Sequence, residues 1–269
     1  MGCKPKRLVG ALGLAAALAA CGGGDEGVSA PASTVSPTTL ALNPLGSTTT
    51  TGVPTRTPGA KPMPAIAELQ PGVRYEAADV TPAVSVQVAG PGWKSFPLPP
   101  FKLTDLVDVG KNIRPDGESD ISVAVLRVSD VWTKHLVPDP VGLLESQYVV
   151  PAPADLEAWL RANPYLRVSA ASATTVGGFA ATALTVEVPP LPAEAEGTCH
   201  GDRCVILFSL ESPGGYLPAF EGSTAQYWLV ETGTERLVVF MGLGEHVDPA
   251  QRDALTKEGE AVVASLKFT

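Results

Sequence analysis

Val84, Val86 and Val88 alternate with Ser85, Gln87 and Ala89, a period of two that predicts a half-buried β-strand. Residues 121–128 and 204–210 are nearly continuous apolar runs, the pattern of strands covered on both faces. Residues 179–188 and 225–231 are rich in β-branched and aromatic side chains, and Arg236–Leu243 completes the set. Thr232-Gly233-Thr234 reads as the hairpin turn between the last two of these runs. Gly177-Gly178 reads as another, joining a strand over 167–176 to the one starting at Phe179.

The period lengthens in two places. Over 155–163, Leu156, Trp159 and Leu160 recur at helical spacing, and Pro164 stops the helix by disfavouring it in the preceding residue. Near the C-terminus, Asp248-Pro249-Ala250-Gln251 combines an N-cap acid, Pro at the first helical position and Gln where a capping box places it. Leu255, Val262 and Leu266, with Val263 beside them, then form a stripe that should pack on a sheet. Many strands with few helices indicate an α+β fold: an antiparallel sheet of about six to eight strands, with the C-terminal helix laid on it.

The first third of the chain has a different texture. Lys4, Lys6 and Arg7 precede an apolar run over 8–20, which is too short to span a bilayer and is laid out as a secretory signal. Leu18-Ala19-Ala20-Cys21 resembles the lipobox of bacterial lipoproteins, whose cysteine takes a diacylglycerol before cleavage on its N-terminal side. That resemblance implies a mature chain starting at acylated Cys21, attached to the cell membrane and facing outward. The following Ser, Thr, Pro and Gly, including Thr48 to Thr51, cannot bury enough surface to offset ordering entropy. The expected organisation is therefore a signal peptide over 1–20, a disordered tether over 21–66 and one domain over 67–269.

The chain carries 28 acidic against 19 basic residues, a net charge of −9, which becomes −12 once Lys4, Lys6 and Arg7 are removed. This disfavours nucleic acid as a partner and makes the lipid, not the protein surface, responsible for membrane attachment. Cys199 and Cys204 bracket His200-Gly201-Asp202-Arg203, but the spacing matches no zinc signature and no second Cys/His pair completes a tetrahedron. In an exported chain the pair is expected as a disulfide that pins the loop over 189–201 to the next strand. Asp116, Glu118 and Asp120 alternate around Gly117, yet they lack the remaining ligands of a calcium loop and read as an exposed acidic loop.

Hydrolase and nucleotide motifs are absent from the sequence: no G-x-S-x-G, H-E-x-x-H, S-x-x-K or P-loop occurs. His135, His200 and His246 lie in separate loops, which leaves open only a triad assembled from distant residues. Trp93, Trp132, Trp159 and Trp228 read as core, with a second possibility that Trp93, Trp159, Trp228 and Phe240 line a cavity for an apolar ligand or lipid.

Gly72-Val73-Arg74-Tyr75, Gly92-Trp93, Ala158-Trp159-Leu160 with Asn163-Pro164, Val176-Gly177-Gly178-Phe179 and Ser265-Leu266-Lys267-Phe268 resemble features of exported lipoproteins of GC-rich bacteria. The final helix leading into a Ser-Leu-x-Phe strand is similar to the PsbP-like α/β/α sandwich of photosystem accessory proteins and mycobacterial LpqN-type lipoproteins. The resemblance implies a non-catalytic accessory or binding module, with an envelope protein or small ligand as partner. It assigns no catalytic, cofactor or metal residue.

Metabolic lipid labelling should therefore place acyl chains on Cys21, and Cys21→Ala should move the protein from the membrane to the soluble fraction. An unlabelled wild-type chain would remove the anchor from this picture.

Overall fold

The computed structural model describes residues 57–95, 106–113, 119–136, 148–193, 198–199, 202–210, 216–233 and 235–269. Cys21 and its lipobox, the tether up to residue 56, Asp116, Glu118 and His200 lie outside the described residues. In chain order the first strands are β1 (Lys61–Pro62), β2 (Arg74–Ala77), β3 (Val84–Gln87), β4 (Trp93–Ser95), β5 (Leu106–Lys111), β6 (Ile121–Arg127), β7 (Asp130–Trp132) and β8 (Val149–Pro151). Helix α1 (Leu156–Ala162) separates them from β9 (Arg167–Val168), β10 (Ser172–Val176), β11 (Phe179–Glu187), β12 (Thr198–Cys199) and β13 (Asp202–Ser209). Then come β14 (Tyr216–Phe220), β15 (Thr224–Glu231), β16 (Arg236–Leu243), α2 (Pro249–Ser265) and β17 (Lys267–Phe268).

The class is α+β and the pairing is antiparallel, apart from β1 on β2. The strands divide into three sheets where one was expected. A central eight-stranded sheet runs β10-β11-β15-β16-β6-β5-β4, with β9 also on β11. A four-stranded sheet runs β1-β2-β3-β17, and a five-stranded one runs β12-β13-β7-β8 with β14 on β13.

The central sheet is buried on both faces, which is why β6 reads as an unbroken apolar run. Its Ile121, Val123 and Val125 join α2 and the four-stranded sheet in one core, with Leu255, Val262, Val263, Val84 and Phe268. Its Ala124 and Leu126 join α1 and the five-stranded sheet in the other, with Leu156, Leu160, Val205 and Leu217.

Three local expectations need correction. Strand β3 is covered on both faces, because the end of α2 lies over it: Ser265 Oγ accepts from Gln87 N–H at 2.9 Å, and Arg74 reaches both Ser85 Oγ and the Ser265 carbonyl. The strand expected over 167–176 is broken into β9 and β10, because Arg161 of α1 takes the carbonyls of Val168 and Ser169. Ordered structure also begins before residue 67: β1 pairs with β2, and Thr57 N–H donates to Glu76 Oε1 at 2.7 Å.

Both helices start as their sequences dictate. Asp155 caps α1 by accepting from Ala158 N–H, and Asp248 caps α2 by accepting from Ala250 N–H, both at 2.8 Å. The apolar stripe of α2 carries one residue that a count of large side chains omits, the buried Gly259. A Cβ at Gly259 would run into Met241 and Ile121, so glycine sets how closely the helix approaches the sheet.

On an exposed helix Gly→Ala would stabilise by about 1 kcal/mol. At Gly259 the added methyl meets Met241 and Ile121, which are 4% and 0% exposed and must shift to admit it. Urea unfolding should show Gly259→Ala destabilised by about 1–2 kcal/mol and Gly259→Leu by more, with the sign at Ala deciding whether the close approach is real.

Candidate functional site

The turn leading from β14 into β15 is closed by Gly222, whose φ of +82° suits glycine. Ser223 bonds back to the Phe220 carbonyl through both its N–H and its hydroxyl, and Gly222 N–H donates to the Val188 carbonyl at 2.8 Å. Glu221 Oε1 accepts from Leu191 N–H at 2.8 Å and from Arg203 Nη1 at 3.2 Å. The turn is thus held from three sides, and the sheet end beside it is a fixed platform.

Cavities open on both faces of that platform, sharing Ser223, Thr224, Ala225 and Leu243 as their common wall. On the α1 face, Val186, Leu217, Ala219, Tyr227 and Phe240 enclose an apolar cavity of about 50 Å³. Tyr227 is buried with its hydroxyl unpartnered, and burial pushes its pKa upward. On the α2 face an open groove of about 280 Å³ runs between the helix and β11, β15 and β16. Thr185, Gln226 and Thr256 line it with hydroxyl and amide groups, and Glu245 and Arg252 bring opposite charges to it.

These dimensions bear on the cavity expected for an apolar ligand. The apolar space is about a third of the roughly 150 Å³ that holds a benzene molecule. Nor do the four aromatic residues meet. Trp93 and Trp228 are core on the α2 side, Trp159 packs against His135 and Phe208 on the α1 side, and only Phe240 of the four lines the apolar cavity. The register explains the dispersal: Trp228 and Tyr227 are consecutive on β15 and point to opposite faces.

The described histidines take different roles. His135 is set against the Ile206 carbonyl at 3.2 Å and the edge of Trp159, and its burial lowers its pKa against the opposing effect of that carbonyl. His246 Nε2 lies 2.9 Å from Asp120 Oδ1, while Asn112 Nδ2 donates to Asp120 Oδ2 at 2.7 Å. This places Asp120, the one described member of the acidic stretch, in a polar corner between β5, β6 and the start of α2. Lys111 and Glu258 form an ion pair nearby. Cys199 and Cys204 are joined in a disulfide with their Cα atoms 5.8 Å apart.

Sequence reasoning passed over the groove residues and Asp108. For Thr185, Gln226 and Asp108 the available signal was a polar residue at an inward register position of an apolar strand, whereas Glu245, Arg252 and Thr256 lie outside the strands and carry no such signal. Thr185 pairs with Gln226 and Gln226 with Met241, a row that crosses the sheet under α2. Asp108 sits between Val107 and Val109 on β5, 7% exposed, with Oδ1 unpartnered.

No protein-family model and no curated protein matches the chain. Solved structures that are similar in part include the following three. Cyanobacterial PsbP (CyanoP) from Synechocystis is 12% identical, with a TM-score of 0.35, over 76% of this chain and 95% of its own. LpqN of Mycobacterium tuberculosis, involved in cell envelope biogenesis, is 12% identical with a TM-score of 0.26, over 73% of this chain and 90% of its own. A protein from Bacteroides thetaiotaomicron is 13% identical with a TM-score of 0.29, and this chain spans less than half of it, 45%, against 69% of this chain.

Burial pushes the Asp108 carboxyl up to about 7, against a backbone hydrogen bond at Val109 that pulls it down. The folded chain therefore holds this proton more tightly than the unfolded chain, so the site favours folding at low pH and loses that advantage as pH rises toward 7. Asp108→Asn should be more stable than wild type by about 3–4 kcal/mol at pH 8, with the gap closing by pH 4. Urea midpoints across that range check the sign, and equal stabilities at pH 8 would refute it.

Proposed function

We propose that the mature chain is a lipid-anchored, extracytoplasmic accessory or binding module that acts by recognition and not by catalysis. The observation that carries this reading is the groove of about 280 Å³ beside α2, where hydroxyl, amide and oppositely charged groups line an open, rigidly backed cleft. Such a lining suits an extended polar segment of an envelope protein or a small polar ligand more than a lipid tail. The Cys199–Cys204 disulfide supports an oxidising compartment, in keeping with the N-terminal signal. The lipid on Cys21 holds the module at the membrane, and the tether supplies its reach.

The His246–Asp120 pair favours a second reading, hydrolysis, since it supplies a histidine oriented by a carboxylate. A serine-directed fluorophosphonate probe separates the two: the accessory reading expects no covalent adduct, and a hydrolase gives one.

Native mass spectrometry of the full chain extracted from its own membrane should show a co-purifying mass. Thr256→Trp, which fills the groove from the half-buried side of α2, should abolish that mass with the fold intact by circular dichroism. A mass retained in the variant, or none with wild type, would sink the groove as the binding site.

A further inference from the structure

Strand β10 ends the central sheet, and its Ser172, Ala173, Thr174 and Thr175 are exposed. Natural sheets protect such edges with Lys, Pro, charge or a covering element. The other terminal strands of this protein follow that rule. Lys61 and Pro62 stand on β1, Lys94 on β4, Pro151 on β8, Arg167 on β9, Pro218 on β14 and Lys267 on β17, while β12 is held by the disulfide. Among the described residues strand β10 has none of these, and its register with β11 is regular throughout. No charged side chain occurs from Val168 to Val186, in a chain where 17% of residues are charged.

We propose that β10 is a homotypic docking edge, through which two copies of this chain pair antiparallel about a two-fold axis at Thr174. The choice of a second copy rests on charge and on register. Each chain is strongly acidic, so two copies repel unless they meet where neither carries charge, and the β10–β11 hairpin offers that surface.

The register also closes on itself. The two-residue loop Gly177-Gly178 makes Val176 and Phe179 a hydrogen-bonded pair, and alternation along the ladder then turns the N–H and C=O of Thr174 toward β11. The N–H and C=O of Ala173 and Thr175 point outward. With the axis at Thr174, Ala173 exchanges hydrogen bonds with the partner's Thr175, and Thr175 with the partner's Ala173. Thr174 faces the partner's Thr174 as a close, non-hydrogen-bonded pair. Isologous pairing of this kind closes at a dimer and does not propagate. The contact is a short strand and buries less than the roughly 1,200–2,000 Å² of a stable interface, so the dimer is weak in solution and builds up only where copies are concentrated.

The geometry makes a cross-linking test specific. Cα atoms of a non-hydrogen-bonded antiparallel pair lie about 4.5 Å apart, within disulfide range. In the full chain, Thr174→Cys should form a reducible dimer well above the wild-type background under mild oxidation. Ser172→Cys should not, because it faces the partner's Val176. Sedimentation equilibrium at tens to hundreds of micromolar should show reversible wild-type dimers. Both Thr174→Glu and Thr174→Lys should raise the dissociation constant about fivefold or more, since each sets like charges across the axis. If overall charge alone governed association, Thr174→Lys would tighten it. Wild type that stays monomeric, equal cross-linking at 172 and 174, or tighter association of Thr174→Lys would each overturn the proposal.

Discussion

A central sheet with two faces to cover sets the terms for the rest of the domain. Strand β6 shows this most plainly, since its side chains from Ile121 to Leu126 are all buried, alternating between the two cores. Such a sheet demands a layer on each side, and the described residues offer two helices, one of them two turns long. The shortfall is made up by the two smaller sheets. The four-stranded sheet lies with α2 in one core, and the five-stranded sheet lies with α1 in the other. Because α2 must share its side, its approach is set by the glycine facing Met241 and Ile121, and its C-terminal end covers β3.

Connecting segments over such layers leave carbonyl groups that need donors, and guanidinium groups supply them repeatedly. Arg74 bonds the Ser265 carbonyl at the end of α2, and Arg161 bonds those of Val168 and Ser169 at the break between β9 and β10. Arg203 takes the Pro192 carbonyl, and Arg236 takes those of Ala152 and Pro153 ahead of α1. A charged donor to a neutral carbonyl is worth more than an ordinary backbone bond, and Arg offers several donors in a fixed fork. These arginines therefore join loops to layers, a use of charge that net composition does not reveal.

This division explains what could be read from the sequence. Strands with strong periodicity or unbroken apolar runs, β6, β11, β13, β15 and β16, stand where the pattern put them, as do both helices with their aspartate caps. Short strands such as β4, β7 and β14 were missed because three to five residues carry too little period to distinguish them from a loop. The break after β9 depends on Arg161, a contact with no local signature. The groove was invisible for a related reason: Thr185 and Gln226 are ordinary polar residues until the register sets them side by side beneath α2, where Thr256 of the helix faces the same space. The cysteine pair was legible because compartment and spacing suffice for it. The assembly of aromatic residues was not, since consecutive positions on one strand face opposite cores.

The disulfide also lies close to the groove. A loop this short gains only about 2–3 kcal/mol from its cross-link, which cannot be what holds the domain together. Its position matters more than its energy. Cys199 and Cys204 are buried beside Trp132, Ile206 and Tyr216 on the outer face of β13, and Cys204 is paired in register with Phe220 of β14. Arg203, one residue before Cys204, carries the Glu221 ion pair, and its carbonyl accepts from Glu221 N–H at 2.9 Å. Glu221 in turn fixes the Gly222 turn that walls the groove. The disulfide thus adjoins Arg203, and Arg203 ties β13 to the turn that walls the groove.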